Sequence, residues 1–242
     1  MLIFIIFILV TAVIALLIAV VFSFEVKATQ ERDPAATNIL EILLLYPGLH
    51  AVIAYRIAHV LVKAKIPFFP RWISQTARFF TGIEIHPGAQ IGKGLFIDHG
   101  TGVVVGETTI IGNNVTLFQG VTLGGTGKEC GKRHPTLGDN IVVGTGAKVL
   151  GNIEVGSNSY IGANAVVLRN VPPNATVVGV PGRVTRQEGR KIDFMMDHVH
   201  VQDPIMIHLK DLIKRMKATE EKLGIERTVE ERNRDNESDF II

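Results

Sequence analysis

The chain has 242 residues and a formal charge of +2 at neutral pH, and it lacks the clustered arginines and lysines of a nucleic-acid-binding protein. Its content of 47 % hydrophobic and 20 % charged residues excludes a disordered chain. Cys130 is the single cysteine, which excludes a disulfide framework and a cysteine-rich zinc site. Of the 24 glycines, all but Gly48 and Gly224 lie between Gly82 and Gly189, so a glycine-rich middle separates two glycine-poor ends.

The N-terminal residues 1–24 contain no charged side chain. Because a bilayer-spanning helix needs about 20 apolar residues, we predict an uncleaved membrane anchor over this segment. A secretory signal, with Val26 and Ala28 at its cleavage site, and a buried apolar helix are the alternatives. The absence of a basic residue ahead of the apolar run counts against the signal.

The next segment, residues 30–82, is predicted to be helical. Asp33 is a suitable N-cap, and Pro34 fits the first position of a helix. Apolar residues then recur at helical spacing from Ala35 to Lys65, with a break at Pro47-Gly48, which predicts two packed helices. A third helix is expected over roughly residues 72–80.

Aliphatic residues recur every six positions through the glycine-rich middle. The phased positions are Ile85, Ile91, Ile97, Val103, Ile111, Leu117, Leu123, Leu137, Val143, Val149, Val155, Ile161 and Val167. Their series slips by two residues, which we place at Glu107-Thr108. A period of six does not follow one face of a helix, whereas short strands joined by tight corners repeat in this way. The sequence therefore predicts a parallel β-helix over residues 83–190.

Two further segments are predicted to lie outside the regular coils. Residues 125–136 interrupt the repeat with a polar loop, which is either a binding element or a solvated surface loop. Residues 191–242 should form a helix at about 204–223, followed by a charged tail that ends in Phe240-Ile241-Ile242.

Several motifs resemble those of serine O-acetyltransferases. They are Ile85-His86-Pro87-Gly88-Ala89, Phe96-Ile97-Asp98-His99-Gly100-Thr101-Gly102, Val105-Gly106-Glu107-Thr108, Gln119-Gly120-Val121-Thr122-Leu123-Gly124-Gly125-Thr126-Gly127 and Arg133-His134-Pro135. The resemblance extends from about Asp33 to Arg183. It implies a left-handed parallel β-helix that forms a homotrimer or a dimer of trimers, with active sites between adjacent subunits. The implied reaction transfers an acetyl group from acetyl-CoA to L-serine in cysteine biosynthesis.

The resemblance also assigns roles to individual residues. His99 matches the general base that takes the proton of the serine hydroxyl, a task suited to the pKa of histidine. Glu84 stands where the family has an aspartate that orients the base, so the pair needs backbone spacing that accommodates an extra methylene. Asp33 and Asp98 match the acidic residues that hold the amino group of serine. Arg133 and His134 match the residues that hold its carboxylate.

The implied binding of acetyl-CoA follows the groove between coils, and no tightly bound cofactor is expected. The candidate contacts are Gly124, Gly125, Thr126, Lys148 and Arg183. Cys130 matches no functional residue of the family. The C-terminal Ile242 resembles the residue through which serine acetyltransferases dock into O-acetylserine sulfhydrylase, and an accidental apolar terminus is the alternative.

Other functions remain open alongside this interpretation. His86, His99 and His134 could hold zinc as in carbonic anhydrase-like β-helices, but the spacing of those enzymes is lacking, and we predict no metal site. A sugar or antibiotic acceptor, or a non-catalytic scaffold that binds the sulfhydrylase, would also fit a hexapeptide protein. The co-substrate and the expected partner place the enzyme domain in the cytoplasm, with possible anchoring to the inner membrane by residues 1–24.

Overall fold

A computed structural model describes residues 22–127, 130–187, 211–216 and 218–220. The chain divides into two units, Met1–Val201 and Gln202–Ile242. In the second unit, residues 211–216 and 218–220 are helical, as the sequence predicts for this region.

Four helices precede the glycine-rich middle in the described part of the first unit. They are α1 Ser23–Arg32, α2 Ile39–Leu45, α3 Pro47–Lys63 and α4 Phe69–Thr81. The prediction that Asp33 caps the start of a helix is wrong, because Asp33 follows the last residue of α1 and its N–H bonds to the carbonyl of Thr29. Asn38 is the N-cap of α2 and accepts a hydrogen bond from the Leu40 N–H at 2.9 Å. The predicted break at Pro47 separates α2 from α3.

Short strands follow the helices. In chain order they are β1 Glu84–Ile85, β2 Gln90–Ile91, β3 Phe96–Ile97, β4 Val104–Val105, β5 Ile110–Ile111, β6 Thr116–Leu117, β7 Thr122–Gly124, β8 Thr136–Leu137, β9 Val142–Val143, β10 Lys148–Leu150, β11 Glu154–Val155, β12 Tyr160–Ile161, β13 Val166–Val167, β14 Ala175–Val178 and β15 Arg183–Gln187. From β1 to β12, successive strands join three parallel sheets in turn. The predicted mainly β fold, a parallel β-helix of hexapeptides with helices before it and a helix after it, is confirmed.

The phase of the repeat differs from the prediction at one place. Val105, and not Val103, pairs with Ile85 and points inward from β4. The eight-residue step therefore runs from Ile97 to Val105, and the two additional residues lie in the turn that contains His99. The predicted position of the slip, Glu107-Thr108, is therefore wrong. The sequence could not show this, because Val103 is also fully buried and its hydrophobicity does not distinguish it from a strand residue.

The helices close the first end of the β-helix through side-chain hydrogen bonds to its strand carbonyls. Tyr55 donates to the Ala89 carbonyl at 2.6 Å, Ser74 donates to the Ile85 carbonyl at 2.7 Å, and Arg56 donates to the Ile91 carbonyl at 2.5 Å. No coil precedes the first one to donate N–H groups to these carbonyls, and the side-chain donors remove the cost of unsatisfied buried polar groups.

Among the described helices, none is by itself long and apolar enough to cross a membrane. The bent pair α2 and α3 passes that test together, with an angle of 66° between the two helices. The predicted anchor at residues 1–24 lies, up to residue 21, outside the described residues.

Candidate functional site

His99 lies in the turn between β3 and β4. Its backbone adopts the left-handed conformation, with φ at 55°, which is uncommon for residues other than glycine. The side chain is 75 % exposed, and its Nε2 lies 3.9 Å from Oδ1 of the buried Asp98. The enlarged turn thus presents an imidazole to solvent beside a carboxylate.

A cavity of about 550 Å³ opens at this turn. It is lined by Asp33, Ala35, Leu45, Tyr46, Pro47, Ile97, Asp98, His99, Phe118, Gln119 and Thr145. We call Asp33, Asp98 and His99 the cavity cluster. The structure therefore brings three of the sequence-predicted site residues to one concave surface, two of them acidic.

Tyr46 fixes the position of Asp33. Its hydroxyl donates to Asp33 Oδ2 at 2.7 Å, and the Ala35 N–H donates to Oδ1 at 2.8 Å. Burial and the adjacent Asp33 raise the pKa of Tyr46, so the phenol remains a donor over the whole working range of pH. The carboxylate keeps acceptor capacity toward a ligand because each oxygen has a second lone pair.

Glu84 contacts helix α4 within the chain. Its Oε2 lies 3.0 Å from Arg78 Nη1, and its Oε1 lies 3.9 Å from Arg71 Nη2 and accepts from Gln75 Nε2 at 3.3 Å. The carboxylate close to His99 in the described residues is that of Asp98. The structure of one chain thus does not bring together Glu84 and His99.

Arg133 and His134 lie at the end of the predicted loop, at a different corner of the coil. Arg133 Nη2 donates to Glu107 Oε2 at 2.6 Å, and the N–H groups of both Arg133 and His134 donate to Thr108 Oγ1 at 3.1 Å. We call Glu107, Thr108, Arg133 and His134 the loop cluster. Its residues lie in the corners that lead from β4 to β5 and from β7 to β8, whereas His99 lies in the corner that leads from β3 to β4.

Hydrogen bonding determines which nitrogen of His134 carries a proton. The Thr108 N–H donates to His134 Nδ1 at 3.2 Å. Because Nδ1 must accept this bond, the neutral ring carries its proton on Nε2, which is then a donor. Burial, assisted by the charge of Arg133, lowers the pKa of His134. His86 follows the same pattern: its Nδ1 accepts from the Gly88 N–H at 3.0 Å, and burial lowers its pKa.

Gly106 has a specific role beside His134. A Cβ at this position would lie 1.9 Å from His134 Cδ2 and 2.1 Å from its Nε2. The ring therefore occupies the space that any other side chain at position 106 would need.

The candidate acetyl-CoA residues lie in three places. Gly124 ends β7, and Gly125 and Thr126 begin the loop. Lys148 Nζ, on β10, donates to the Gly120 carbonyl. Arg183 is exposed at the start of β15. Gly125 lies against the loop cluster, since a Cβ there would lie 3.3 Å from Arg133 Cγ.

Sequence reasoning missed several cavity residues. Tyr46, Phe118, Gln119 and Thr145 belong to three separate segments that only the fold brings together. Gln119 and Phe118 stand one coil above His99, because β3 pairs with β6, and correct phasing of the repeat would have found them. Gln119 Oε1 is buried and has no hydrogen-bond partner among the described residues, so it can accept a bond from a ligand.

The remaining predictions concern the C-terminal Ile242, metal binding and Cys130. Ile242 lies outside the described residues. Among the residues that the structure describes, no group of three or more histidine, cysteine, aspartate or glutamate side chains is arranged to hold a metal ion. Cys130 is exposed in the loop.

Comparison with known proteins adds independent information. Residues 134–169 match the family described as bacterial transferase hexapeptide (six repeats). The chain is 54 % identical over 218 residues to a serine acetyltransferase of Staphylococcus xylosus, covering 90 % of this chain and 95 % of the relative. A Neisseria gonorrhoeae serine acetyltransferase in complex with serine is 44 % identical with a TM-score of 0.66, covering 69 % of this chain and 68 % of that one. A serine acetyltransferase in complex with cysteine is 43 % identical with a TM-score of 0.73, covering 76 % and 72 % respectively.

Proposed function

The chain belongs to the serine acetyltransferase family, and on this basis we propose that it transfers the acetyl group of acetyl-CoA to the hydroxyl of L-serine, giving O-acetyl-L-serine and CoA for cysteine biosynthesis. The observation that carries this proposal is the cavity of about 550 Å³ in which His99 stands beside Asp98 and Asp33. A base and two carboxylates together suit an acceptor that has both a hydroxyl and an ammonium group.

His99 is the general base of the proposed reaction. It takes the proton of the serine hydroxyl while the oxygen attacks the acetyl carbonyl, and a C–O bond forms as the C–S bond breaks. The imidazolium then gives its proton to the departing sulfur of CoA. Acetyl-CoA is a co-substrate, and the transfer needs neither a covalent acyl-enzyme nor a tightly bound cofactor. A positioned base of this kind contributes about 10²- to 10⁴-fold to the rate.

The acidic residues of the cavity select the amino group of the acceptor. Asp98 and Asp33 hold the serine ammonium, and Tyr46 keeps Asp33 in place through its 2.7 Å hydrogen bond. The buried Oε1 of Gln119 supplies a further acceptor at the same wall. A neutral sugar offers no cation to this arrangement, which favours an amino acid as the acceptor.

The carboxylate of serine is bound by Arg133 and His134, supplied by an adjacent copy of the chain. The loop cluster lies at a different corner of the coil from His99, so one chain provides two half-sites. In a homotrimer, or a dimer of trimers, the loop cluster of one copy completes the cavity of the next. Glu84 joins this interface, where the extra methylene gives its carboxylate the reach to exchange Arg78 for a histidine of the neighbouring copy.

Exposed aromatic residues support an interface near Glu84. Phe79 and Phe80, which follow Arg78 at the end of α4, are 82 % and 78 % exposed. Adjacent apolar side chains of this size are characteristic of surfaces that another protein covers.

Acetyl-CoA lies along the groove beside the loop in this proposal. Backbone groups of Gly124, Gly125 and Thr126 contact its pantetheine arm, and Lys148 and Arg183 supply positive charge for its phosphates. Lys148 has to exchange its bond with the Gly120 carbonyl for this contact.

The enzyme domain works in the cytoplasm, and residues 1–24 anchor it at the inner membrane.

The C-terminal Ile242 binds O-acetylserine sulfhydrylase. An apolar side chain with a free carboxylate suits a site that recognises an amino acid. Deletion of Ile241 and Ile242 should abolish co-purification with the sulfhydrylase. Unchanged co-purification would contradict this role.

The proposed reaction is tested directly with purified protein. We expect release of the CoA thiol when acetyl-CoA and L-serine are both present, with O-acetylserine identified by mass. Turnover on an amino sugar in place of serine would favour a different acetyltransferase. A protein inert toward every acceptor would favour the scaffold function.

A further inference from the structure

One side of the helical layer carries apolar and basic residues together. On α3, Ile57 and Val60 are exposed; on the following turn and α4, Phe68 is 73 % exposed and Trp72 is 56 % exposed. Lys63 and Lys65, which lie between Val60 and Phe68 in the sequence, are also exposed. We call these six residues the basic apolar face.

The basic apolar face points away from the β-helix. The opposite side of α3 carries the buried Val52, Tyr55 and Ala58, and Tyr55 donates to a carbonyl of the first coil. On α4, the buried Ser74 donates to the Ile85 carbonyl. Each helix therefore uses one side to close the β-helix and leaves large apolar residues on the other side, which normally indicates a binding surface.

The charged residues of this face are Lys63 and Lys65, and both are basic. Arginines of the same helices pair with acidic residues elsewhere, Arg56 with Glu25 and Arg78 with Glu84, and add no net charge to the face. Two copies of such a surface would repel each other across a symmetric interface. An anionic lipid headgroup layer is complementary to it, and tryptophan, phenylalanine and lysine are the residues that favour a membrane–water interface.

We propose that the basic apolar face docks on the surface of an anionic lipid bilayer. Trp72 and Phe68 enter the headgroup region, Ile57 and Val60 cover acyl chains, and Lys63 and Lys65 pair with lipid phosphates. Because the other side of α3 is packed on protein, this helix lies on the bilayer and does not cross it.

The single tryptophan of the chain allows a direct test, because Trp72 lies in the face. The full-length protein is mixed with vesicles of phosphatidylcholine alone, or of equal parts phosphatidylcholine and phosphatidylglycerol. With the anionic vesicles we expect a blue shift of Trp72 emission, protection from acrylamide and quenching by lipids brominated near the headgroup. Trp72 that stays open to acrylamide in vesicle-bound protein would overturn the proposal.

Two charge variants separate lipid contact from other causes of shielding. Lys63→Gln with Lys65→Gln should raise the vesicle concentration for half-maximal protection of Trp72 about thirtyfold, since each lysine strengthens attachment about fivefold. Arg169→Gln with Arg186→Gln removes the same charge from exposed positions of later coils and should change nothing. Equal behaviour of both variants would contradict docking through this face.

A second copy on the face gives a different result. In that case Trp72 is shielded before vesicles are added, and dilution of the protein restores its exposure along with a fall in molecular mass. This result would show that a second chain, and not a lipid surface, covers the face, and it would overturn the proposal.

Discussion

The cavity cluster and the loop cluster differ in how one chain holds their residues. His99 is 75 % exposed and lies in an open turn, whereas His134 is 8 % exposed and its Nδ1 accepts from a backbone N–H. Arg133 is likewise fixed by Glu107. The chain thus holds the proposed carboxylate-binding group in place and leaves the proposed general base, His99, facing an open cavity. This contrast is what a site shared between adjacent copies requires, since each copy must present one finished half-site to its neighbour.

Replacement of His99 tests the reactive half and should have the largest effect. We expect His99→Asn to lower kcat about 10²- to 10⁴-fold, because the general base is lost. Asparagine is the suitable substitute here, since Asn114, Asn140 and Asn158 of the same β-helix adopt φ between 55° and 59°. Thiol release from acetyl-CoA with serine provides the rate. An unchanged melting temperature with undiminished turnover would exclude His99 as the base.

Mixing two inactive variants tests whether the half-sites belong to different copies. His99→Asn retains an intact loop cluster, and Arg133→Ala retains an intact cavity cluster. Unfolding and refolding the two together should restore roughly a quarter of wild-type activity, because about one interface in four then pairs the two intact halves. Each variant refolded alone is the control. Failure of the refolded mixture to regain activity would show that one chain supplies the whole site.

Substitution of Gly106 tests the rigidity of the loop cluster. Gly106→Ala places a methyl group 1.9 Å from His134, so we expect a loss of about 1–3 kcal/mol in the free energy of unfolding from overpacking and a higher KM for serine. The double variant Gly106→Ala with His134→Ala should recover most of that stability, because the clash is removed. Urea unfolding measures both. Equal destabilisation in the single and double variants would mean that the ring is not the obstacle.

The two clusters also differ in how far the sequence could predict them. The six-residue period predicted the coils and most of their inward residues because each hexapeptide buries one aliphatic side chain in a fixed place. It could not predict the position of the two-residue slip, since Val103 and Val105 are both buried and either satisfies the hydrophobic pattern. The helix-cap role of Asp33 was predicted from a motif typical of helix starts, yet here Asp33 ends a helix and bonds to Tyr46. Contacts between separate segments depend on how the helices close the β-helix, which no local pattern specifies.

Removal of the Tyr46 hydroxyl tests how the cavity cluster is positioned. We expect Tyr46→Phe to raise the KM for serine roughly tenfold with kcat little changed, since a hydrogen bond to a charged group contributes about 1.5–3 kcal/mol. Tyr55→Phe is the matched control, because its hydroxyl bonds to the Ala89 carbonyl and neither residue lines the cavity. That variant should lower the melting temperature and leave KM unchanged. A KM equally affected in both variants would indicate a general loss of structure.

The pH dependence of stability tests the loop cluster with the smallest effect. Burial lowers the pKa of His134 and of His86 below the ordinary 6.5. The unfolded rings therefore bind protons at a pH where the folded rings remain neutral, so acidification below about 6.5 favours unfolding, and stability rises again with pH. The hydrogen bond to Arg133 lowers the pKa of Glu107 below its ordinary 4.5. The stability that Glu107 contributes is therefore lost only at more acidic pH. We expect the free energy of unfolding to decrease from pH 7 to pH 5, and His134→Asn to flatten this slope, because asparagine Oδ1 accepts the Thr108 N–H without titrating. An unaltered slope in that variant would show that His134 does not contribute to the pH dependence of stability.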